Sequence, residues 1–244
     1  MFLSGTLLNA ATVIIGATIG LLVGARMPAR IQQTLTDVLG LFTLAIGFSL
    51  TLTLLQDRTA PAGTDLVVLA SLLLGGICGE LLHLTEALDG LGGWFERRLA
   101  RGDQPSRISQ GFVTASLVFC VGPLTILGSI QNGVSGDIQL LAVKSVLDGF
   151  AAIAFAATLG AGVYLSALTV LVVQGGIATL AWLLGANIDP VVIAAVSAVG
   201  GVILLGVGLR LLDIKQVRVA SLLPALLLAP ILVWLAQLIR AALA

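Results

Sequence analysis

Between short polar turns this chain stays apolar for about twenty residues at a time, the length an α-helix needs to cross the hydrocarbon of a bilayer. Eight such segments are read: Leu3–Gly24, Val38–Leu55, Leu66–Leu84, Gly111–Gln131, Leu140–Leu159, Val163–Leu184, Val191–Leu211 and Ala220–Ile239. The run from Leu140 to Ala186 is about 47 residues, enough for two crossings joined by a tight turn at Gly160-Ala161-Gly162. With 58% hydrophobic residues, 10% charged residues and a mean hydropathy of +1.13, the chain holds more apolar surface than one globular core can hide. The fold class expected is an all-α integral membrane protein, one transmembrane domain over residues 1–244 with the lipid bilayer as its main partner. Lys and Arg together number 12, as do Asp and Glu, so no basic excess points to nucleic acid. Cys78 and Cys120 both lie in apolar runs and read as small interior residues.

The chain also resembles itself. Ala17-Thr18-Ile19-Gly20-Leu21-Leu22-Val23-Gly24-Ala25 returns 161 residues later as Ala178-Thr179-Leu180-Ala181-Trp182-Leu183-Leu184-Gly185-Ala186, with five of nine positions identical. At the same offset Gly40 falls on Gly201, Gly47 on Gly208 and Leu50 on Leu211. Glycine, threonine and alanine in fixed register are harder to match by chance than leucine, and internal repeats mark many transporter folds. Spans one and two therefore correspond to spans six and seven. A displacement by five crossings makes the second copy enter the membrane from the other side. The expected architecture is an inverted repeat, residues 3–85 against 163–240 (spans 1–3 against 6–8), with central spans over 108–160 and a cytoplasmic interfacial segment over 86–107. Matching between spans three and eight is poor, and two Gly-rich helices converging on similar packing would give the same likeness.

The basic residues orient these crossings. With the N terminus external, the cytoplasmic loops hold Arg26, Arg30, Arg97, Arg98, Arg101, Arg107, Arg210, Lys215 and Arg218, whereas the external side holds Arg58 and Arg240. Nine against two is a strong positive-inside bias. Eight crossings place both termini outside, and the first span reads as an uncleaved anchor. The interfacial segment mixes Leu88, Leu91, Trp94, Phe95 and Leu99 with Arg97, Arg98 and Arg101, the pattern of a helix lying on the anionic leaflet.

Interior polarity gathers in spans four and five. Span four carries Thr114, then Gly122-Pro123, then Ser129, Gln131 and Asn132. Pro123 has no N–H to donate and Gly122 loosens the turn before it, so the helix is expected to break or kink. Broken helices are tolerated in a membrane where protein or a wet cavity satisfies the freed backbone, and such breaks often form binding sites. Lys144 and Asp148 stand four residues apart on one face of span five, with Ser145 between them. Each charge would cost about 2.5 to 3.5 kcal/mol at the bilayer centre, so both must face protein or water. Asp148 is read as lining a translocation path with Lys144 as counter-charge; a static ion pair holding helices together is the other reading. Asn9 on span one and Gln174 on span six could hydrogen-bond a small polar solute or each other across helices. Glu80 and His83, three apart at the end of span three, could relay protons or mark the interface. Gly16, Gly20 and Gly24 form a ridge that lets another helix, internal or from a second subunit, approach closely; Gly75, Gly76 and Gly79 make a similar one. Pro224 and Pro230 predict a bent last span.

The runs Phe119-Cys120-Val121-Gly122-Pro123 through Gln131-Asn132-Gly133, Lys144 to Phe150, and Leu222-Leu223-Pro224 to Pro230 resemble the prokaryotic membrane proteins grouped as domain of unknown function 554, over essentially the whole chain. That resemblance implies a multi-pass protein of the prokaryotic cytoplasmic (inner) membrane and a transport label, with no catalytic residues to carry over. The family pattern often has Asp where this chain has Asn132, so a charge is missing here.

No nucleotide-binding loop, metal-ligand cluster or nucleophile–base grouping stands out, so no enzyme activity, cofactor or metal is expected. The reading that follows is a secondary-type transporter, a homodimer moving a small polar or charged solute by alternating access at a midplane site near spans four and five. A passive ion or solute channel, and a membrane scaffold that transports nothing, are the competing classes.

Overall fold

In a computed structural model of the chain, residues 3–26, 28–56, 61, 63–87, 105–120, 123–184 and 189–243 are described. Among them all regular structure is helical. The helices are α1 (Ser4–Gly24), α2 (Ala29–Gln56), α3 (Thr64–Leu81), α4 (Pro105–Cys120), α5 (Pro123–Ser135), α6 (Gln139–Leu159), α7 (Val163–Leu184), α8 (Pro190–Leu211) and α9 (Pro224–Leu243). Short 3₁₀ turns, Gly160–Gly162 and Val219–Leu222, precede α7 and α9. Among the described residues six helical stretches are long and apolar enough to cross a membrane, one of them the 45-residue Gln139–Leu183 that holds both α6 and α7. The pair α4 and α5, bent by 62°, makes a seventh if taken as one span. The interfacial segment expected over 86–107 lies almost wholly outside the described residues, as does Gly122.

Helix boundaries follow local chemistry more than hydropathy. α2 starts at Ala29 and not at Val38, because its polar first turns are helical too: the Thr34 hydroxyl donates to the Arg30 carbonyl at 3.0 Å, and Gln33 Nε2 to Asp37 at 3.0 Å. α8 starts where Asp189 accepts from the Val191 N–H at 2.8 Å with Pro190 in the first position, a residue whose missing N–H costs nothing there. Pro224 likewise opens α9 and leaves Pro230 inside that helix, and the apolar stretch Val219–Ala242 contains both. The turn into α7 uses Gly160 at φ +82, a backbone conformation that side chains with a Cβ disfavour.

The described helices fall into two compact units, one of Met1–Leu39 and Leu88–Asn187, the other of Gly40–Ala87 and Ile188–Ala244. Each joins two stretches that are separated in the chain. In the first unit α1 and α6 run parallel. A Cβ on Gly16, Gly20 or Gly24 would strike the carbonyls of Gly149, Ile153 and Ala157 in turn, so the glycine ridge is spent on α6 within the chain. α7 runs antiparallel to α1: its Gly175 lies beside Leu3 and Thr6, while the Tyr164 hydroxyl donates to Thr18 at 2.8 Å. α4 and α5 advance along α7 in one direction, through Gly162 against Ile108, Ser116 to Thr169 at 3.0 Å, and Gly133 against Ala178.

In the second unit α3 packs antiparallel on α9 and the turn before it, with Gly75 against Ala225 and Gly79 against Ser221. α2 crosses α8 antiparallel at glycines. A Cβ on Gly47 would stand 2.7 Å from the Gly201 carbonyl oxygen, and one on Gly201 2.7 Å from that of Gly47. Gly208 comes against Leu44 and the Gly40 carbonyl, and Gly47 against Leu205. Only glycine permits such backbone contact, which gives dispersion energy without a hydrophobic drive between helices.

Candidate functional site

The first unit exposes large apolar side chains and buries several polar ones. Ile15, Leu22, Val146, Phe150, Leu168 and Val172 are exposed, while Asn9, Lys144, Ser145, Asp148 and Gln174 are buried. Exposed aliphatic faces around a polar interior suit lipid outside and hydrogen-bonding partners within.

The centre of that interior is an ion pair. Asp148, the tenth of 21 residues in α6, accepts from Lys144 Nζ at 3.0 Å, and both side chains are over nine-tenths buried. The spacing of four residues on one helix brings them together without any tertiary contact. A third partner comes from α1: Asn9 Nδ2 donates to Asp148 Oδ2 at 2.9 Å. Asn9 reaches Asp148 because the glycines of α1 let that helix lie on α6 at backbone distance.

The same unit holds buried polar atoms with no hydrogen-bond partner among the described residues: Thr6 Oγ1, Asn9 Oδ1, Ser129 Oγ, and both Nε2 and Oε1 of Gln174. All four side chains are buried. Leaving such a group unpaired costs about 1 to 3 kcal/mol each, so a cluster of them is an expensive feature for a folded protein to carry. Gln174 lies on the buried stripe of α7 formed by Val163, Ala167, Val170, Ala178 and Ala181, so it points into the unit and not toward lipid.

Other residues singled out from the sequence take different places. Asn132 is buried on α5, where its Oδ1 accepts from the Gly5 N–H at 3.2 Å and so caps the first turn of α1. Gln131 turns away to donate to Asp137 at 2.8 Å at the end of the same helix. Thr114 is buried in α4, and Pro123 opens α5. Glu80, in the second unit, is bound by the Arg218 guanidinium at 2.6 Å, while the exposed His83 places Nδ1 3.1 Å from the Leu81 carbonyl. Glu80 and His83 thus have separate partners. Thr6, one turn before Asn9 on the same buried face, was not legible as a site residue; its spacing from Asn9 is the signal that marks it. Two cavities of about 250 Å³ are found in this unit, one beside Gln32, Thr158 and Gly160, the other an apolar groove between α1 and α6. Neither is lined by Lys144, Asp148 or Gln174. Among the described residues no group of three or more His, Cys, Asp or Glu could hold a metal ion.

Apolar helices of this length around a buried charge pair define an integral membrane protein. Residues 4–234 match the family described as "Protein of unknown function (DUF554)", and the chain belongs to it. It is similar to the "Uncharacterized membrane protein YdfK" of Bacillus subtilis (strain 168), 30% identical over 230 residues, 94% of this chain and 95% of the relative. It is also similar to the "Uncharacterized protein YqgA" of Escherichia coli (strain K12), 35% identical over 228 residues, 92% of this chain and 94% of the relative. No solved structure matches it.

Proposed function

We propose that the protein is a secondary-type transporter of the prokaryotic cytoplasmic membrane that moves a small polar or charged solute by alternating access through the interior of its first unit. The observation that carries this reading is the buried Lys144–Asp148 pair with Asn9, halfway along a helix whose outer faces are apolar. Ionisable residues held at that depth mark solute and ion pathways more often than they mark stability, because an apolar substitute would fold at least as well.

The architecture proposed has eight crossings and an inverted repeat. α6 runs parallel and α7 antiparallel to α1, which supports reading the 45-residue stretch as two crossings. α4 and α5 both advance along α7 in one direction, which favours a single broken span over a re-entrant loop. The α2·α8 crossing supports the repeat: at an offset of 161 the contact of Gly47 with Leu205 exchanges with that of Gly208 with Leu44, and the contact of Gly47 with Gly201 exchanges with that of Gly208 with Gly40. Two related helices meeting about a local twofold axis make such reciprocal contacts, as inverted repeats do in transporters. Positive-inside counting then puts both termini outside. A homodimer is retained, on a face other than the Gly16–Gly24 ridge.

Purified protein in liposomes, challenged with a pooled panel of labelled small metabolites and ions, tests the proposal. Uptake by the wild type that is lost in Asp148→Asn and in Lys144→Ala is the expected result. Absence of movement of every solute and ion in the wild type overturns transport.

A further inference from the structure

We infer that the solute bound in the first unit is uncharged and carries both hydrogen-bond donors and acceptors, of the amide or polyol class, and that Gln174, Ser129, Thr6 and the free oxygen of Asn9 hold it. The inference deepens the transport reading and rests on it.

Register brings these four side chains to one layer. Gly133 of α5 meets Ala178 of α7, and the two helices run parallel; Ser129 and Gln174 each lie four residues earlier on their own helix, and so at the next level down the same interface. On α5, Asn132 faces α1 through Gly5 and Gly133 faces α7. At 100° per residue Ser129 projects between those two directions, into the wedge between α1 and α7. On α1, Thr6 stands at the level of Gly175, the residue after Gln174. Asn9 follows one turn on from Thr6 and ties the layer to Asp148.

The chemistry of the layer selects the class. Its unpartnered atoms are two amide oxygens that only accept, one amide NH₂ that only donates, and two hydroxyls that do either. Among the described residues the charges that Asn9 ties to the layer, Lys144 and Asp148, already neutralise each other at 3.0 Å. Bringing a bare cation or anion into this buried, neutral setting would leave an uncompensated charge, which is the costliest arrangement a protein interior can hold. An uncharged solute that both gives and accepts hydrogen bonds satisfies the orphaned atoms and adds no charge. A site of fixed donors and acceptors also rejects apolar analogues strongly, because they leave its groups unpaired.

The test uses the full-length protein in liposomes. Urea, acetamide and glycerol serve as uncharged probes, acetate and methylammonium as charged ones. Entry is followed by stopped-flow light scattering, and thermal unfolding in detergent is measured alongside. The wild type should speed entry of at least one uncharged probe over protein-free vesicles. Gln174→Leu should cut that rate about tenfold to a hundredfold, the loss expected when a bound polar group faces an apolar one, without lowering the melting temperature. Ser129→Ala should act in the same direction. Entry of charged probes alone overturns the assignment and leaves the transport reading standing. Faster water flow with no probe entering overturns it too, since water then satisfies the layer. An unchanged rate of uncharged probes in Gln174→Leu shows that the layer is not the site. If neither these probes nor the pooled panel moves, both readings fall.

Discussion

Lys144 and Asp148 exchange their desolvation for each other and for the Asn9 amide, and the balance is sensitive to which partner is removed. Deleting one member of a buried pair strands the other, at a cost of about 3 to 5 kcal/mol, whereas replacing both with apolar residues of similar size is close to neutral. Lys144→Ala should therefore lower stability sharply in detergent unfolding, while Lys144→Met with Asp148→Leu should recover most of the loss and still be inactive in flux. A double variant as unstable as the single one would contradict this account of the pair. At this scale the sequence was half legible. The meeting of Lys144 with Asp148 is written in their spacing, because one helix turn suffices to make it. The reach of Asn9 to Asp148, 139 positions away, is not. Gln131 shows the converse: as polar as its neighbour Asn132, it serves the turn at Asp137 because it points about 100° away around the helix.

Glycines let several helices here approach to backbone distance, as expected where lipid removes the hydrophobic drive between helices. Gly16→Leu or Gly20→Leu sets a side chain against the α6 backbone, and overpacking of this kind costs about 1 to 3 kcal/mol or more. Gly176 is the control: nothing lies within 4 Å of a Cβ built there, and Gly176→Ala should gain about 0.5 to 1 kcal/mol from helix propensity. Melting temperatures of the three variants in one detergent check both signs. Hydropathy located the long apolar helices, but it placed the start of α2 nine residues late and did not show that Pro224 opens a helix. Capping, first-turn polarity and the tolerance of proline at a helix start decide boundaries, and none of these raises local hydropathy.

For the whole molecule, charge bias and crossing number together give a topology open to direct measurement. In a background with Cys78→Ala and Cys120→Ala, a thiol introduced as Asp137→Cys should react with a membrane-impermeant maleimide from outside intact cells, and one introduced as Lys215→Cys only after permeabilisation. Labelling in the reverse order would overturn the positive-inside orientation and the external termini argued from it. What the sequence determined by itself is the environment and the local geometry: length and hydropathy demand a bilayer, and helical periodicity pairs Lys144 with Asp148. What only tertiary structure decided is which faces meet. Each unit is assembled from helices distant in the chain, the Gly16–Gly24 ridge is consumed by α6, and Thr6, Ser129 and Gln174 are left buried without partners among the described residues. Periodicity is a property of one helix, whereas burial and satisfaction of a polar group belong to pairs of helices, and a single sequence does not encode which pairs form in any local pattern.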